Sequence, residues 1–233
     1  MEKYDLHKNN FSKLHFELHS ILPYYLNNKE KASRPHRHSF FQLLWFKNPG
    51  EHYVDYQVLQ HPKNTLFAIN QNQIHHFCRR SSNEGYLFHF NDSFISTIGL
   101  NILPRFILTI FNEIHSPYLV LTTAQSIFFK RLVKTIEIAS DTKGENRSEI
   151  VMHQFMALLY KVEEIKKEKF SFPLDLKSDF STVVKFKQLI IQNIDQQLQI
   201  TSLCKCPRNI TKKTHFFNKR TYGQHTQYYD KRY

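Results

Sequence analysis

The feature that most constrains the fold is a series of short apolar runs, rich in aromatic residues, between Phe16 and Phe90. Each run is five to seven residues long, which is the length of a strand, and turn-forming residues separate the runs. Strands of this length at such regular spacing predict an all-β sandwich or barrel. The runs are Phe40–Phe46 (FFQLLWF), Tyr53–Leu59 (YVDYQVL), Thr65–Ile69 (TLFAI) and Tyr86–Phe90 (YLFHF), and the turns are residues 48–50, 61–64 and 81–85.

After Phe90 the apolar period becomes that of a helix. Thr122 or Thr123 is suited to cap one helix, and Glu145–Lys169 predicts a longer one. Phe172–Pro173 ends this pattern because proline cannot continue a helix, so we expect a domain boundary near residues 168–178. The chain as a whole is therefore predicted to be α+β. The expected apolar faces are Ile127, Phe128, Leu132, Val133 and Ile136 on the first helix, and Val151, Met152, Phe155, Leu158, Leu159, Val162 and Ile165 on the second.

The composition argues against several functional classes. Only 5 glycines occur and no glycine-rich phosphate loop is present, which disfavours the common nucleotide-dependent enzymes. No apolar run has the length of a membrane span or of a signal peptide. The 3 cysteines, an odd number, do not form a disulfide framework. We therefore expect a cytoplasmic protein that is not an enzyme and has no membrane partner.

Histidines are the candidate site residues in the first half of the chain. His36 and His38 are two residues apart before a predicted strand, so both side chains would lie on one face, and Gln42 would share that face. His75 would approach from a second strand. Three imidazoles and a fourth polar ligand would suit a transition metal, but glutamine is a poor replacement for a carboxylate. The alternative is that these side chains line a small-molecule pocket or are hydrogen-bonded in a half-open barrel mouth, and we expect this alternative, with no metal and no cofactor.

Positive charge is concentrated at the end of the chain. Residues 177–233 hold 11 Lys and Arg against 3 Asp and Glu, a net +8 of the +12 carried by the whole protein. The same stretch has apolar residues at helical spacing, among them Val183, Leu189 and Ile194. Short basic helices of this kind indicate contact with DNA.

These patterns together resemble the AraC-type transcriptional regulators. The segments RPHRHSFFQLLWF, NPGEHYVDYQV and HPKNTLFAINQNQIHHF are similar to the N-terminal cupin-type sensing barrel of that family. The resemblance implies a barrel that binds a small effector, whereas cupin enzymes have glutamate where Gln42 stands. The implied pocket candidates are His36, His38, Gln42, Trp45, Tyr53 and His75.

The basic stretch resembles the beginning of the AraC-type DNA-binding domain, which has two helix-turn-helix units. Asp179–Ile190 looks like its first helix, Leu198–Cys204 like the start of the first helix-turn-helix, and Phe216–Lys219 like its recognition helix. Pro207 interrupts the motif and the chain ends at Tyr233, so we expect a degenerate, truncated domain that lacks the second unit. The implied DNA contacts are Arg208, Thr211, Lys212, Lys213, His215, Asn218, Lys219 and Arg220.

Three functions stay open on the sequence. The resemblance favours a regulator with an effector-binding barrel over residues 1–120, a helical connector over 121–172 and a partial DNA-binding domain over 173–233. Its connector would form a homodimer through residues 145–168 or would pack on its own barrel. The alternatives are a ligand-binding module without DNA binding and a cupin metalloenzyme that uses His36, His38 and His75. The apolar stripe proposed for the dimer is Phe155, Leu158, Leu159 and Val162.

Overall fold

The computed structural model describes residues 2–6, 15–96, 102–111 and 118–170. The chain divides into two compact units, Met1–Phe170 and Ser171–Tyr233, and all described residues belong to the first. This part of the chain is α+β, as the sequence predicts. Its strands are β1 (Glu2–Tyr4), β2 (Phe16–Ser20), β3 (His36–His38), β4 (Phe41–Phe46), β5 (Gly50–Val54), β6 (Gln57–His61), β7 (Thr65–Ile69), β8 (His75–Phe77), β9 (Gly85–Phe90) and β10 (Tyr118–Val120). Its helices are α1 (Ile21–Asn27), α2 (Lys29–Ala32), α3 (Asp92–Ser96), α4 (Leu103–Thr109), α5 (Thr123–Asp141) and α6 (Arg147–Lys169).

The strands form two five-stranded sheets. Sheet A has the order β1-β3-β8-β5-β6, and sheet B has the order β10-β7-β4-β9-β2. Neighbouring strands are antiparallel except β1 and β3, which run parallel. The sheets pack face to face, because Phe46 of sheet B contacts Phe77 of sheet A at 6.1 Å between ring centroids.

Strand β4 is the centre of a three-layer arrangement. All six of its residues are buried, so both of its faces are covered. Leu44 and Phe46 belong to the core between the two sheets. Leu43 and Trp45, on the opposite face, belong to a second core shared with α5 and α6. The order of layers is therefore sheet A, sheet B and helices, and the alternation of β4 decides which side chains face sheet A.

Most of the predicted strands are confirmed, and one is wrong. Thr65–Ile69 is found with the predicted bounds, and the runs at residues 40–46 and 86–90 are strands within one residue of prediction. The run Tyr53–Leu59, however, is the end of β5, a turn and the start of β6. Asp55 and Tyr56 form this turn with φ of 47° and 66°, the left-handed conformation of a two-residue hairpin.

Both predicted long helices are present. Helix α5 begins at Thr123 and Thr122 is its cap, as expected. Its buried face differs from the prediction, because Ile127 and Phe128 are exposed. Helix α6 begins two residues later than predicted and ends at Lys169 as predicted. The buried residues of α5 are Phe129, Val133, Ile136 and Ala139.

The apolar stripe of α6 packs on its own domain. Phe155 contacts Phe16, Phe88 and Phe90 of sheet B at centroid distances of 4.9 to 5.3 Å. The stripe residues predicted as a partner face are therefore buried inside this unit, because they cover the outer face of sheet B. Those residues are Phe155, Leu158, Leu159 and Val162, each at most 1% exposed.

A buried carboxylate on α6, that of Glu163, also attaches this helix to α4. Glu163 accepts a hydrogen bond from Nε of Arg105 at 2.7 Å and one from the hydroxyl of Thr109 at 3.0 Å. Lys167 lies 3.0 Å from the same carboxylate. Within the described ranges, no helix combines the length and the apolar composition needed to cross a lipid bilayer.

Candidate functional site

A cavity of about 350 Å³ lies between the two sheets at one end of the unit. Its wall combines imidazoles with an amide and a few polar groups from the helices. Strands β3, β4, β8 and β9 and helices α1 and α2 all contribute side chains. Its polar side chains include His36, His38, His75, His89, Gln42 and Glu17, with Tyr24 and Lys31 from the helices.

Three histidines meet on the sheet A side of this cavity. His36 and His38 point to the same face of β3 because they are two residues apart. His75 of β8 is paired with His36 in the antiparallel register. The ring centroids lie 4.7 Å apart for His36 and His38, 4.6 Å for His36 and His75, and 5.1 Å for His38 and His75. Each ring is at most 5% exposed.

A chain of hydrogen bonds forms the sheet B side. The amide nitrogen of Gln42 lies 3.0 Å from Nε2 of His89, which is opposite it in the β4–β9 register. Because an amide nitrogen donates, His89 Nε2 accepts, and its Nδ1–H is left to donate to a carboxylate oxygen of Glu17 at 3.2 Å. The same oxygen lies 3.1 Å from Nε2 of His19. These contacts fix one tautomer of His89.

A further buried histidine, His52, contacts the cluster formed by His36, His38 and His75. Nε2 of His52, on β5, lies 3.3 Å from Nδ1 of His75. His52 is fully buried and its ring packs against Phe46 and Phe67 of sheet B. This packing fixes the position of the ring that contacts His75.

Burial keeps these imidazoles neutral. It lowers the pKa of His38 to about 2, with the neighbouring His36 and His89 adding to the effect. Burial also lowers the pKa of His36, and it lowers those of His52 and His75 well below the ordinary value. For His89 burial again lowers the pKa, although Glu17 opposes it. Neutral imidazoles can accept a hydrogen bond or bind a metal ion.

The carboxylate beside them is ionised. Burial alone would raise the pKa of Glu17, but the hydrogen bonds from His19 and His89 outweigh it and hold that pKa below its usual range. The cavity therefore has an ionised carboxylate, Glu17, beside neutral imidazoles.

The structure places four of the six pocket candidates together and two elsewhere. His36, His38, Gln42 and His75 line the cavity. Trp45 does not, because it lies three residues after Gln42 on β4 and so points to the helices, where its ring is 6.0 Å from Phe129. Tyr53 does not either: it lies on the outer face of β5 and stacks on His76 at 4.1 Å.

Sequence reasoning missed His89, His52 and Glu17. His89 lies within a predicted strand, and its alternation with the apolar Phe88 and Phe90 was a signal that its side chain faces the other way. No comparable signal was present for Glu17, whose role depends on the pairing of β2 with β9.

Two groups in the described residues have the side chains to bind a metal ion. The ligand atoms of His36, His38 and His75 lie within 4.8 Å of one another, and so do those of Glu17, His19 and His89. The second group already has its carboxylate engaged by both of its histidines.

Cys78 does not line this cavity. Cys78 is buried, and its thiol donates to a carboxylate oxygen of Glu51 at 3.4 Å. The predicted DNA contacts, with the helices expected over 179–190 and around 198–223, lie outside the described residues. Those contacts are Arg208, Thr211, Lys212, Lys213, His215, Asn218, Lys219 and Arg220.

Comparisons with known proteins give a weak structural likeness. No protein-family model matches the sequence, and no curated protein matches it. Among solved structures, apo ToxT K231A from Vibrio cholerae strain SCE256 has 11% identity and a TM-score of 0.42, covering 92% of this chain and 78% of that one. ToxT from Vibrio cholerae O395 bound to (E)-4-(8-methylnaphthalen-1-yl)but-3-enoic acid has 10% identity and a TM-score of 0.39, covering 92% and 75%. Likeness at this level establishes no shared family, and the function has to be inferred from the site and the sequence.

Proposed function

We propose that this chain is a transcriptional regulator of the AraC type, in which a small molecule binds the cavity between the sheets and the basic C-terminal stretch binds DNA. The effector would change DNA affinity by binding one state of the protein better than another. The proposal assigns no catalysis to the site and places the protein in the cytoplasm.

The observation that carries the proposal is the polar cavity inside an otherwise apolar core. Buried polar side chains without partners destabilise a fold, and Gln42 Oε1 and both ring nitrogens of His38 have no hydrogen-bond partner among the described residues. A ligand that donates and accepts hydrogen bonds would satisfy these atoms. Polar groups that converge on a cavity within an apolar core mark a candidate small-molecule site.

The charge distribution supports the DNA-binding part. Residues 177–233 carry a net +8 of the protein's +12, which suits a surface that contacts phosphates. Among the predicted contacts, the Lys and Arg side chains would supply affinity, whereas Asn218 or His215 would read base edges.

A homodimer through residues 145–168 stays part of the proposal, with changed contact residues. The stripe predicted for it is buried, so a partner would have to contact the outer face of the two helices. Ile150 and Tyr160 on α6 and Ile127 and Phe128 on α5 are exposed there. Sedimentation of the full chain with Ile150→Ser/Tyr160→Ser, two exposed positions on α6, tests this contact, and a dimer unaffected by that change excludes it.

Gel-shift titration of the full chain against random genomic fragments tests the DNA-binding part. The variant Lys212→Ala/Lys213→Ala should bind DNA more weakly. If both lysines contact phosphates, the slope of log affinity against log salt concentration should be less steep by about two. The matched control is Lys130→Ala/Arg131→Ala, which removes the same charge from the exposed side of α5.

The alternative is a ligand-binding module that does not bind DNA. It is favoured by Pro207 within the predicted helix-turn-helix, where proline costs about 3 kcal/mol in a helix interior. Complete absence of DNA binding at low salt would remove the regulator and leave this alternative. Equal effects of the two double variants would mean non-specific charge attraction instead.

A further inference from the structure

The three imidazoles of His36, His38 and His75 have the arrangement of a metal site. Their ligand atoms lie within 4.8 Å of one another at the end of two paired strands. Three nitrogens bound to one ion at about 2.0–2.1 Å lie roughly 3.3 Å apart, so the rings would have to approach by about 1.5 Å. Rotation of the side chains can supply such a movement while the paired backbones stay in place.

The hydrogen bonds of His36 and His75 each occupy one ring nitrogen and leave the other for a metal ion. His36 donates from Nδ1 to the backbone carbonyl of Arg34 at 2.7 Å, so its Nε2 keeps a free lone pair. Nδ1 of His75 is engaged by His52, and Nε2 of His75 has no hydrogen-bond partner among the described residues. Metal-binding histidines are usually held in this way, with one nitrogen on the ion and the other on a fixed hydrogen-bond partner.

A packing role alone does not explain why His38 is buried. It is 3% exposed, and neither of its ring nitrogens has a partner within the described part of the chain. Burying an imidazole without any hydrogen bond is unfavourable. An ion bound to one of its nitrogens would offset that cost, and burial keeps all three rings in the neutral form that binds metals.

We propose that His36, His38 and His75 bind one divalent metal ion of the late first transition row, such as Zn²⁺. The fourth coordination position of the ion would be open to the cavity. Three neutral nitrogens suit Zn²⁺ better than Mg²⁺ or Ca²⁺, which prefer oxygen ligands. The proposal concerns the cavity assigned above to the effector, but it does not depend on DNA binding. Metal binding can be measured on protein that fails every gel-shift test.

The test is a Co²⁺ titration of metal-stripped full-length protein, followed by visible absorption. Cys204 and Cys206 are first replaced by serine, so that thiolates elsewhere in the chain cannot bind the ion. We expect a saturable absorption band at one Co²⁺ per chain, displaced by one equivalent of Zn²⁺. Zn²⁺ should also raise the Tm of the stripped protein.

Two neighbouring histidines of β8 provide the matched variants. His75→Gln removes a proposed ligand, whereas His76→Gln changes the next residue, whose ring stacks on Tyr53 on the outer face. His75→Gln should lose the saturable band or weaken Co²⁺ binding at least tenfold, and His76→Gln should bind like the unchanged protein. His38→Gln should behave like His75→Gln, and the Tm of each stripped variant shows whether it is folded.

Three results would overturn the proposal. One is the absence of stoichiometric binding of Co²⁺ and Zn²⁺ to folded, stripped protein at roughly 100 µM metal, a concentration that would saturate a site with a Kd of about 1 µM. A second is equal loss in His75→Gln and His76→Gln. The third is unchanged binding in folded His38→Gln and His75→Gln, which would place the ion on other ligands.

Discussion

Gly85 lies at the start of β9, opposite Phe46 of β4, with a φ of +146°. Side chains other than glycine rarely adopt this conformation, and a Cβ at this position would lie 1.8 Å from the carbonyl oxygen of Trp45. We expect Gly85→Ala to lower the free energy of unfolding by roughly 1–3 kcal/mol, because the backbone of β4 or β9 must move. Urea unfolding followed by fluorescence measures this change.

Gly144→Ala is the control for this prediction. A Cβ at Gly144, which precedes α6, would meet nothing within 4 Å. Its effect should stay within about 0.5 kcal/mol. If the two variants unfold at the same urea concentration, the close approach of β9 to Trp45 is not a constraint on the fold.

At the same scale, alternation along β4 decides which site residues could be predicted. Alternation predicts correctly that Gln42 lies on the face of the histidines. The same alternation puts Trp45 on the opposite face, so the sequence itself argues against the prediction that Trp45 lines the pocket. Alternation alone does not show which way Tyr53 points, because only the pairing of β5 with β8 shows which face of β5 lies inside. The same limit applies to Glu17, which reaches His89 across a strand pairing that no local pattern indicates.

The element with the clearest local signal is α5. Thr122 accepts a hydrogen bond from the backbone nitrogen of Gln125 at 3.3 Å, and the side chain of Gln125 accepts one from the backbone nitrogen of Thr122 at 2.9 Å. This reciprocal pair is a capping box. Such a signal depends only on residues three apart, which is why the start of the helix could be read from sequence.

Removal of the cap should destabilise the protein moderately. We expect Thr122→Ala to lower the free energy of unfolding by about 1 kcal/mol, since the backbone N–H of Gln125 loses its acceptor at the helix start. Thr123→Ala, which changes the exposed first residue of the helix, is the control and should have a smaller effect. Equal urea midpoints for the two variants would show that the capping box contributes no stability.

The hairpin of β5 and β6 shows where local signals fail. The length, aromatic content and partial alternation of Tyr53–Leu59 predict a single strand across Asp55 and Tyr56, and no glycine marks a two-residue turn there. Both residues adopt the left-handed conformation nonetheless. The pairing of β5 with β6 and β8 stabilises a turn that its own sequence does not favour.

Across the described unit, the interior between the sheets holds, among its apolar side chains, six neutral imidazoles. The pKa of every one of these side chains is lowered chiefly by burial, and they come from both sheets and from distant parts of the sequence. The number of imidazoles in this interior depends on how the strands pair and pack, so it cannot be read from any single strand. They are His36, His38, His52, His75 and His89, with His61 further along sheet A.

The stability of the protein should consequently fall in mild acid. Below the unfolded pKa of about 6.5, the unfolded chain binds protons that the folded one does not, so stability is complete above that pH and is lost as pH falls towards the lowered folded pKa. Each fully buried histidine costs roughly 2 kcal/mol at pH 5 on this basis. Glu17 and Glu163, whose pKa values are also lowered, lose their contribution only below about pH 4.5. Between pH 6.5 and 4.5 the histidines therefore dominate.

Urea unfolding at constant ionic strength from pH 7.5 to 5.0, with a chelator present, measures this effect. Fluorescence of Trp45, the only tryptophan of the chain and 2% exposed, reports the transition. His38→Gln should reduce the slope of unfolding free energy against pH by up to about 1.4 kcal/mol per pH unit, because it removes one proton-binding side chain. His153→Gln, on the exposed side of α6, is the matched control. Stability that stays constant from pH 7.5 to 5.0 would contradict the neutral histidine interior.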